Sequence, residues 1–251
     1  MAWLGELALA REAAFAAARV LQEMGKRPVV VLSDAGRDIK LEADREAESV
    51  ILKLLSSSNF PVLAEESGAH GDVLGAAPVW VVDPLDGTMN FSREIPFYCV
   101  SIALLVNGEP VLGIVHDIVR KETFSGVVGE GCWLNDEPVV VSRVTDPARA
   151  ILATGFPTGR DFEPESLVGC LHDMGRFKKV RMLGSAALML AYVAVGRVDA
   201  YSEDDIMFWD VAAGVALVKA AGGFASVRPS SRLKWGRYVR CASCSELWPN
   251  H

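Results

Sequence analysis

Between Pro61 and Pro138 the chain is written as one short β-branched run after another. Pro61–Ala64, Val79–Val82, Cys99–Val106, Pro110–His116 and Glu122–Val127 each have the length and residue types of a strand. Asn107-Gly108 is a hairpin turn between two of them, and Gly129–Pro138 reads as a further turn-rich hairpin. Strands that follow one another without a helix in between exclude a simple doubly wound fold, where strand and helix alternate. Helical periodicity is confined to the flanks. Leu7, Ala10, Ala14, Ala18 and Leu21 place an amphipathic helix over Leu4–Met24, stopped by Gly25. A second helix is predicted from Ile39 to Ser56, a third over Ser185–Val195 and a fourth over Trp209–Ala221. Val29–Leu32 is a short apolar run before a polar loop, Ser33–Arg37. Short strands are expected near Val198–Tyr201, Phe224–Val227 and Tyr238–Cys241. With no repeat, low-complexity tract or linker, this is a layered, mixed α/β chain forming one domain over residues 1–251.

Composition narrows the function. A chain of 251 residues can bury a sizeable core, and its 25 basic against 32 acidic residues give a net charge of −7. A protein built on DNA phosphates carries the opposite sign, so nucleic acid is not an expected partner. Mean hydropathy is +0.24, yet no stretch reaches the ~18 apolar residues of a membrane span; the longest, Ser185–Gly196, is too short. The first helix is interrupted by Glu6, Arg11 and Glu12 and has no basic leader, so a cytoplasmic location is expected. Five scattered cysteines, Cys99, Cys132, Cys170, Cys241 and Cys244, do not make a disulfide framework. The Cys241-x-x-Cys244 spacing stands alone, without a second pair or a histidine motif.

Chemistry concentrates in Trp80-Val-Val-Asp-Pro-Leu-Asp-Gly-Thr-Met-Asn-Phe91. An apolar strand runs into Asp83 and Asp86, and Pro84, lacking a backbone donor, is expected to end its ladder. Two carboxylates three residues apart in a tight turn can face one spot, a costly arrangement without a cation between them. Gly87 and Thr88 then offer backbone N–H groups to an anion. A capped turn with solvated acids is the plainer alternative. Glu65-Glu66-Ser67-Gly68 also follows a strand, Asp44 lies in the second helix, and Asp210 opens the fourth as either an N-cap or a ligand. Oxygen donors without a His–Cys cluster point to magnesium rather than zinc. His70, His116, His172 and His251 are dispersed.

The segment Trp80–Arg93 and the segment Trp209-Asp-Val-Ala-Ala-Gly-Val-Ala-Leu-Val-Lys-Ala-Ala-Gly-Gly223 resemble the two signatures of the inositol monophosphatase family, in the family's order. Glu65-Glu66-Ser67, Leu183-Gly-Ser-Ala-Ala187 and Gly196-Arg-Val-Asp-Ala200 are similar to further family blocks, and the resemblance runs from about residue 5 to 245. It implies alternating helix and sheet layers, an αβαβα sandwich, usually in a homodimer. It also implies magnesium-dependent, lithium-sensitive hydrolysis of small phosphomonoesters. Carried over by position, Glu65, Asp83 and the Leu85 carbonyl would hold one metal, and Asp83, Asp86 and Asp210 a second, with Glu65 reaching a third through water. Gly87 and Thr88 would cradle the phosphate, and Asp44 with Thr88 would orient the attacking water. Gly184, Ser185, Ala186, Glu203 and Asp210 would line the alcohol side.

By the same resemblance, Glu203 stands where inositol-type members place an acid on substrate hydroxyls, rather than as a plain surface-loop acid, which favours a polyol with inositol 1-phosphate the leading substrate. Fructose 1,6-bisphosphate, histidinol phosphate and 3′-phosphoadenosine 5′-phosphate are the sibling alternatives, and an RNA-polymerase-binding regulatory member is the alternative of another class. Broken metal ligands would favour that last reading, and none is broken. Asp204-Asp205 departs from the family pattern; the pair would disfavour a second phosphate or bind a substrate amine. The loop Leu32–Asp38, where the family carries its lid, is closer to microbial members than to animal ones, which bears on the third metal and on lithium affinity.

Overall fold

The structure, a computed structural model, describes residues 3–35, 38–157 and 162–249. The first helix, α1 (Leu4–Met24), buries a face of small residues, Ala10, Ala13, Ala14, Ala17 and Ala18, together with Leu21. Small side chains let its backbone lie close to the sheet below. The expected loop and helix start are instead a hairpin of β1 (Val31–Ala35) and β2 (Asp38–Leu41). Gly36 and Arg37 lie outside the described residues. Helix α2 therefore starts later than its apolar periodicity suggests, at Glu42, and runs to Leu55. Its Asp44 accepts the Leu41 N–H at 2.6 Å, satisfying a donor where strand passes into helix.

Strands β3 (Val62–Ala64), β4 (Gly68–His70) and β5 (Val79–Asp86) follow, then the short helix α3 (Thr88–Ser92). Next come β6 (Cys99–Val106), β7 (Glu109–Asp117), β8 (Glu122–Val127), β9 (Gly131–Leu134) and β10 (Glu137–Val139). They form an eight-stranded sheet in the order β10-β9-β8-β7-β6-β5-β3-β4. Asn107 and Gly108 both have positive φ (52° and 79°), as do Asn135 and Asp136 (47° and 72°), so both hairpins turn as their sequences require. The pairing of β3 with β5 is parallel; every other neighbour in this sheet is antiparallel.

The second half contains elements that periodicity missed: β11 (Ile151–Thr154), α4 (Pro164–Arg176) and β12 (Lys179–Arg181). In α4 the stripe is blurred by Val168 and Leu171, both more than 60% exposed; β12 is three residues long and two of them are charged. Helix α5 (Ala186–Ala194), β13 (Ala200–Met207), α6 (Phe208–Ala220), β14 (Phe224–Pro229) and β15 (Gly236–Ala242) complete a five-stranded sheet in the order β12-β11-β13-β15-β14.

The layers follow from strand parity. Trp80, Val82, Val100, Ile102, Leu104, Leu112 and Ile114 face α1 and α2. Val79, Val81, Cys99, Ala103 and Val115 face α5 and α6, whose opposite sides pack on Tyr201, Val239 and Cys241 of the second sheet. Leu152, Ala200 and Ala242 point outward to Met174 of α4, Phe177 and Trp248. Helices and sheets alternate as expected, and α5 and α6 are apolar all round because they are sandwiched. Gly113 is needed for this: a Cβ there would collide with the Ala213 carbonyl of α6.

Candidate active site

Two carboxylates three residues apart would point to opposite faces of a regular strand. Here they do not. On β5, Val79 and Val81 face α5 and α6, so Asp83 has the same parity. Leu85 joins the core on the α1 side with Trp80 and Val82, showing that the alternation has slipped by one residue. Pairing with β6 is irregular between Asp83↔Ser101 and Asp86↔Cys99. Pro84, with no N–H to give, sits in that irregularity. It interrupts the ladder without ending it, contrary to expectation, since pairing resumes at Asp86. The extra residue turns Asp86 to the same face as Asp83. An N–H bond from Leu85 to Asp83 Oδ1 (2.9 Å) braces the turn.

Glu65 arrives from the neighbouring strand. β3 runs parallel to β5 with Ala64 opposite Val82, and the Glu65 N–H donates to the Val82 carbonyl at 3.1 Å. Glu65 thus stands beside Asp83 at the carboxyl ends of two parallel strands, with the two side chains hydrogen-bonded to each other. Its loop is held by Glu48 of α2, which accepts the Glu66 and Ser67 N–H groups at 2.9 and 3.0 Å. Glu66 in turn pairs with Lys40 at 3.1 Å. The fourth carboxylate, Asp210, is not an N-cap. Met207 caps α6, and Asp210, at the third helical position, accepts a backbone hydrogen bond from Met207. Asp44 occupies the same position in α2.

Electrostatics identify these four as one unit. Burial pushes the Glu65 carboxyl up to about 8. Burial, then the negative charges of Glu65, Asp86 and Asp210, hold Asp83 well above the usual carboxylate range. Burial, Glu65, Asp86 and Glu203 do the same to Asp210. Asp86 rises only to about 6, because hydrogen bonds oppose its burial. The Ser185 hydroxyl and the Ala187 N–H each reach its Oδ2 at 2.6 Å. Ser185 also caps α5, accepting from the Leu188 N–H. Among the described residues no three acidic, His or Cys side chains already close on a single point as a ligand set; one Asp86 oxygen is turned to α5 and Glu65 is bonded to Asp83. All the donors are nevertheless hard oxygens, and crowded buried carboxylates of this kind accept a proton or a divalent cation of the magnesium type.

The remaining expected residues surround this cluster. Gly87 has φ 98°, and a Cβ there would lie 3.0 Å from the Phe97 carbonyl, so glycine is required as the chain enters α3. Thr88 Oγ1 donates to the Leu85 carbonyl at 3.0 Å. Gly184, Ser185, Ala186, Glu203, Asp86 and Asp210 line one cleft of about 170 Å³. Glu203 is 5% exposed. Phe156, Met189 and Ile206 give the cleft an apolar wall. Sequence reasoning missed that wall, and also Asn90, whose Nδ2 bonds the Phe97 and Leu183 carbonyls at 2.7 and 2.8 Å and so ties the β5 turn to the Gly184 loop. Glu48 did leave a signal, a Glu on the apolar stripe of α2 next to Ala47 and Ile51. Asp204 and Asp205 do not serve a substrate amine: Asp204 pairs with Arg240 at 2.7 Å, and Asp205 bonds Ser230 and Arg232. Cys241 is buried in β15, and Cys244 Sγ lies near the Val144 carbonyl at 3.6 Å.

Layered helices and sheets surround a carboxylate cluster beside the ends of two parallel strands, and comparison with known proteins places this architecture in a phosphatase family. Residues 5–242 match the inositol monophosphatase family, and the chain belongs to it. An inositol-1-monophosphatase of Synechocystis sp. is 39% identical over 237 residues, covering 90% of this chain and 80% of the relative. A Nus factor SuhB of Xylella fastidiosa is 41% identical over 197 residues, 77% of this chain and 70% of the relative. The solved inositol monophosphatase of Anabaena (Nostoc) sp. superposes with a TM-score of 0.84 at 36% identity, covering 98% of this chain and 94% of that one.

Proposed function

We propose that this phosphatase-family protein hydrolyses a small phosphomonoester of a polyol, with inositol 1-phosphate the leading substrate, and depends on magnesium. The observation that carries the proposal is the four-carboxylate cluster of Glu65, Asp83, Asp86 and Asp210, of which Asp86 and Asp210 line the cleft that contains Glu203. Bound divalent cations would supply charge neutralisation of the phosphate and acidification of the attacking water. Glu65, Asp83, Asp86, Asp210 and the Leu85 carbonyl would hold them. The Gly87 and Thr88 N–H groups would fix the phosphate oxygens, and Asp44 with the Thr88 hydroxyl would hold the water's proton and orientation.

The alcohol side has a distinct character. Its described lining carries the carboxylates of Asp86, Glu203 and Asp210 and no Lys, Arg or His. A second substrate phosphate would meet that negative wall, which counts against fructose 1,6-bisphosphate and 3′-phosphoadenosine 5′-phosphate. Asp204 and Asp205 are engaged by Arg240, Ser230 and Arg232, so the amine of histidinol phosphate would have to pair with Glu203 instead. Hydroxyls donating to Glu203, over the apolar surface of Met189 and Ile206, suit a ring polyol. The test is phosphate release from purified phosphomonoesters with magnesium and with chelator. A preference for inositol 1-phosphate that vanishes in chelator supports the reading; a preference for a bisphosphate, or turnover indifferent to chelator, overturns it. The similarity to a Nus factor keeps a second reading, action on the transcription machinery, which binding to purified RNA polymerase independent of Asp83 would favour.

A further inference from the structure

A phenol lies buried beneath the catalytic cleft. Tyr201, on β13, pairs with Cys241 of β15, and Glu203, two residues on, pairs with Val239. Residues two apart on a regular strand share a face, and the register of β13 slips only after Glu203. Tyr201, Val239 and Cys241 all pack on the side of α5 and α6. Glu203 therefore stands on the same face as Tyr201. Glu203 lines the cleft and Tyr201 does not; the phenol sits behind the carboxylate, fully buried.

Buried tyrosine hydroxyls normally find a partner, and the neutral donors near this cleft do: Ser185 bonds Asp86, and Asn90 bonds two carbonyls. The Tyr201 hydroxyl makes no hydrogen bond among the described residues. Acceptors nevertheless surround it. Burial, then the charges of Glu203, Asp210 and Asp86, push the phenol well above its ordinary range. Asp86 Oδ2 already accepts from Ser185 and Ala187, and Asp210 from Met207. Glu203 acts most strongly of the three and stands within reach of the phenol. Its carboxylate leans over Gly155, where a Cβ would lie 2.7 Å from Oε1 and 3.4 Å from Oε2. The missing side chain at Gly155 leaves that carboxylate space to turn.

We propose that Tyr201 is a positioning residue for polyol recognition: as substrate hydroxyls donate to one oxygen of Glu203, the Tyr201 hydroxyl donates to the other and fixes the carboxylate over the cleft. The inference rests on the polyol reading of the cleft. An unbonded buried hydroxyl costs the free protein stability, and that cost disappears when substrate closes the bond, so the phenol favours hydroxylated esters. The test is a double-mutant cycle of Tyr201→Phe and Glu203→Gln. It is read as selectivity, kcat/KM for inositol 1-phosphate and for glycerol 2-phosphate relative to p-nitrophenyl phosphate. Tyr201→Phe removes one oxygen and keeps the ring that fills the core. It is expected to lower selectivity about fivefold, the worth of one hydrogen bond, through KM rather than kcat. In the Glu203→Gln background the further loss should be under about twofold. Thermal unfolding in chelator needs no substrate: the free protein loses no bond, so the variant should melt no lower than wild type. A wild type that prefers an ester other than inositol 1-phosphate ends the inositol reading, while glycerol 2-phosphate and the melting comparison still score Tyr201. Equal losses on all three esters, an undiminished effect beside Glu203→Gln, or a variant less stable than wild type in chelator overturns the proposal.

Discussion

Replacing Asp86 by Asn separates the stability of this protein from its catalysis. The Asp86 carboxyl titrates at about 6 in the fold against an ordinary 3.8, because burial outweighs the bonds from Ser185, Ala187, Ala186 and Cys99. A group whose folded value is raised favours the fold when protonated. Its contribution is therefore complete below about 3.8 and is lost as pH rises through about 6. At 1.36 kcal/mol per pH unit, the ionised side chain costs the metal-free fold about 3 kcal/mol above that window. Asn retains an oxygen to accept from Ser185 and Ala187 and carries no charge. In chelator at pH 8, Asp86→Asn should be more stable than wild type by up to about 3 kcal/mol, or about 6–12 °C in Tm for a chain of this size. The gap should close as pH falls from about 6 toward 4. With magnesium the order should reverse: wild type gains ligand stabilisation, about 4.1 kcal/mol at a thousand times Kd, and the variant gains little. Thermal unfolding across pH 4–8, with chelator or magnesium, measures all of this. A variant less stable than wild type in chelator at pH 8, or a gap independent of pH, refutes the argument.

Asp83, surrounded by the other three carboxylates, is the position where loss of charge should be most damaging to turnover. Asp83→Asn should fold normally by circular dichroism and lose on the order of 10³-fold or more in phosphate release, and near-normal turnover would remove it from the catalytic assignment. Thr88→Ala deletes the hydroxyl that meets the Leu85 carbonyl but keeps the backbone N–H, so kcat should fall by roughly 10²–10⁴-fold while phosphate inhibition changes little. A loss confined to phosphate affinity would give Thr88 a binding role alone. Glu203→Gln should lower kcat/KM for inositol 1-phosphate about tenfold, or 1.4 kcal/mol, and leave p-nitrophenyl phosphate nearly untouched. Equal losses on the two substrates would mean that Glu203 supports the carboxylate cluster rather than the polyol.

Much of this site could be read from the chain, because its donors cluster in short segments whose local geometry is set by the neighbouring residues. Asp83, Asp86, Gly87 and Thr88 are consecutive or nearly so, Pro84 restricts the turn, and Gly87 is the residue that tolerates φ 98°. Strand runs and hairpin turns in the middle of the chain were equally legible, since alternation and Asn-Gly chemistry act over a few residues. The start of α2 was not legible. Ile39 and Leu41 continue an apolar spacing that suits a helix, yet they pair with β1. α4, β11 and β12 escaped for a related reason: their hydrophobic contacts come from distant segments, such as Trp248 and Leu247.

What the sequence determined by itself, then, is the alternation of elements and the supply of hard oxygen donors, both carried by nearest neighbours along the chain. Tertiary structure alone decided which face each donor takes. The slipped parity at Pro84–Leu85 puts Asp83 and Asp86 on one side of β5, and parallel pairing brings Glu65 alongside. The stacking of α6 between two sheets adds Asp210 from more than a hundred residues away in sequence. It also withdrew Asp204 and Asp205 from the substrate, because Arg240 and Arg232 reach them from the folded partner strand and loop. Partners of that kind are set by long-range packing, which no local pattern encodes.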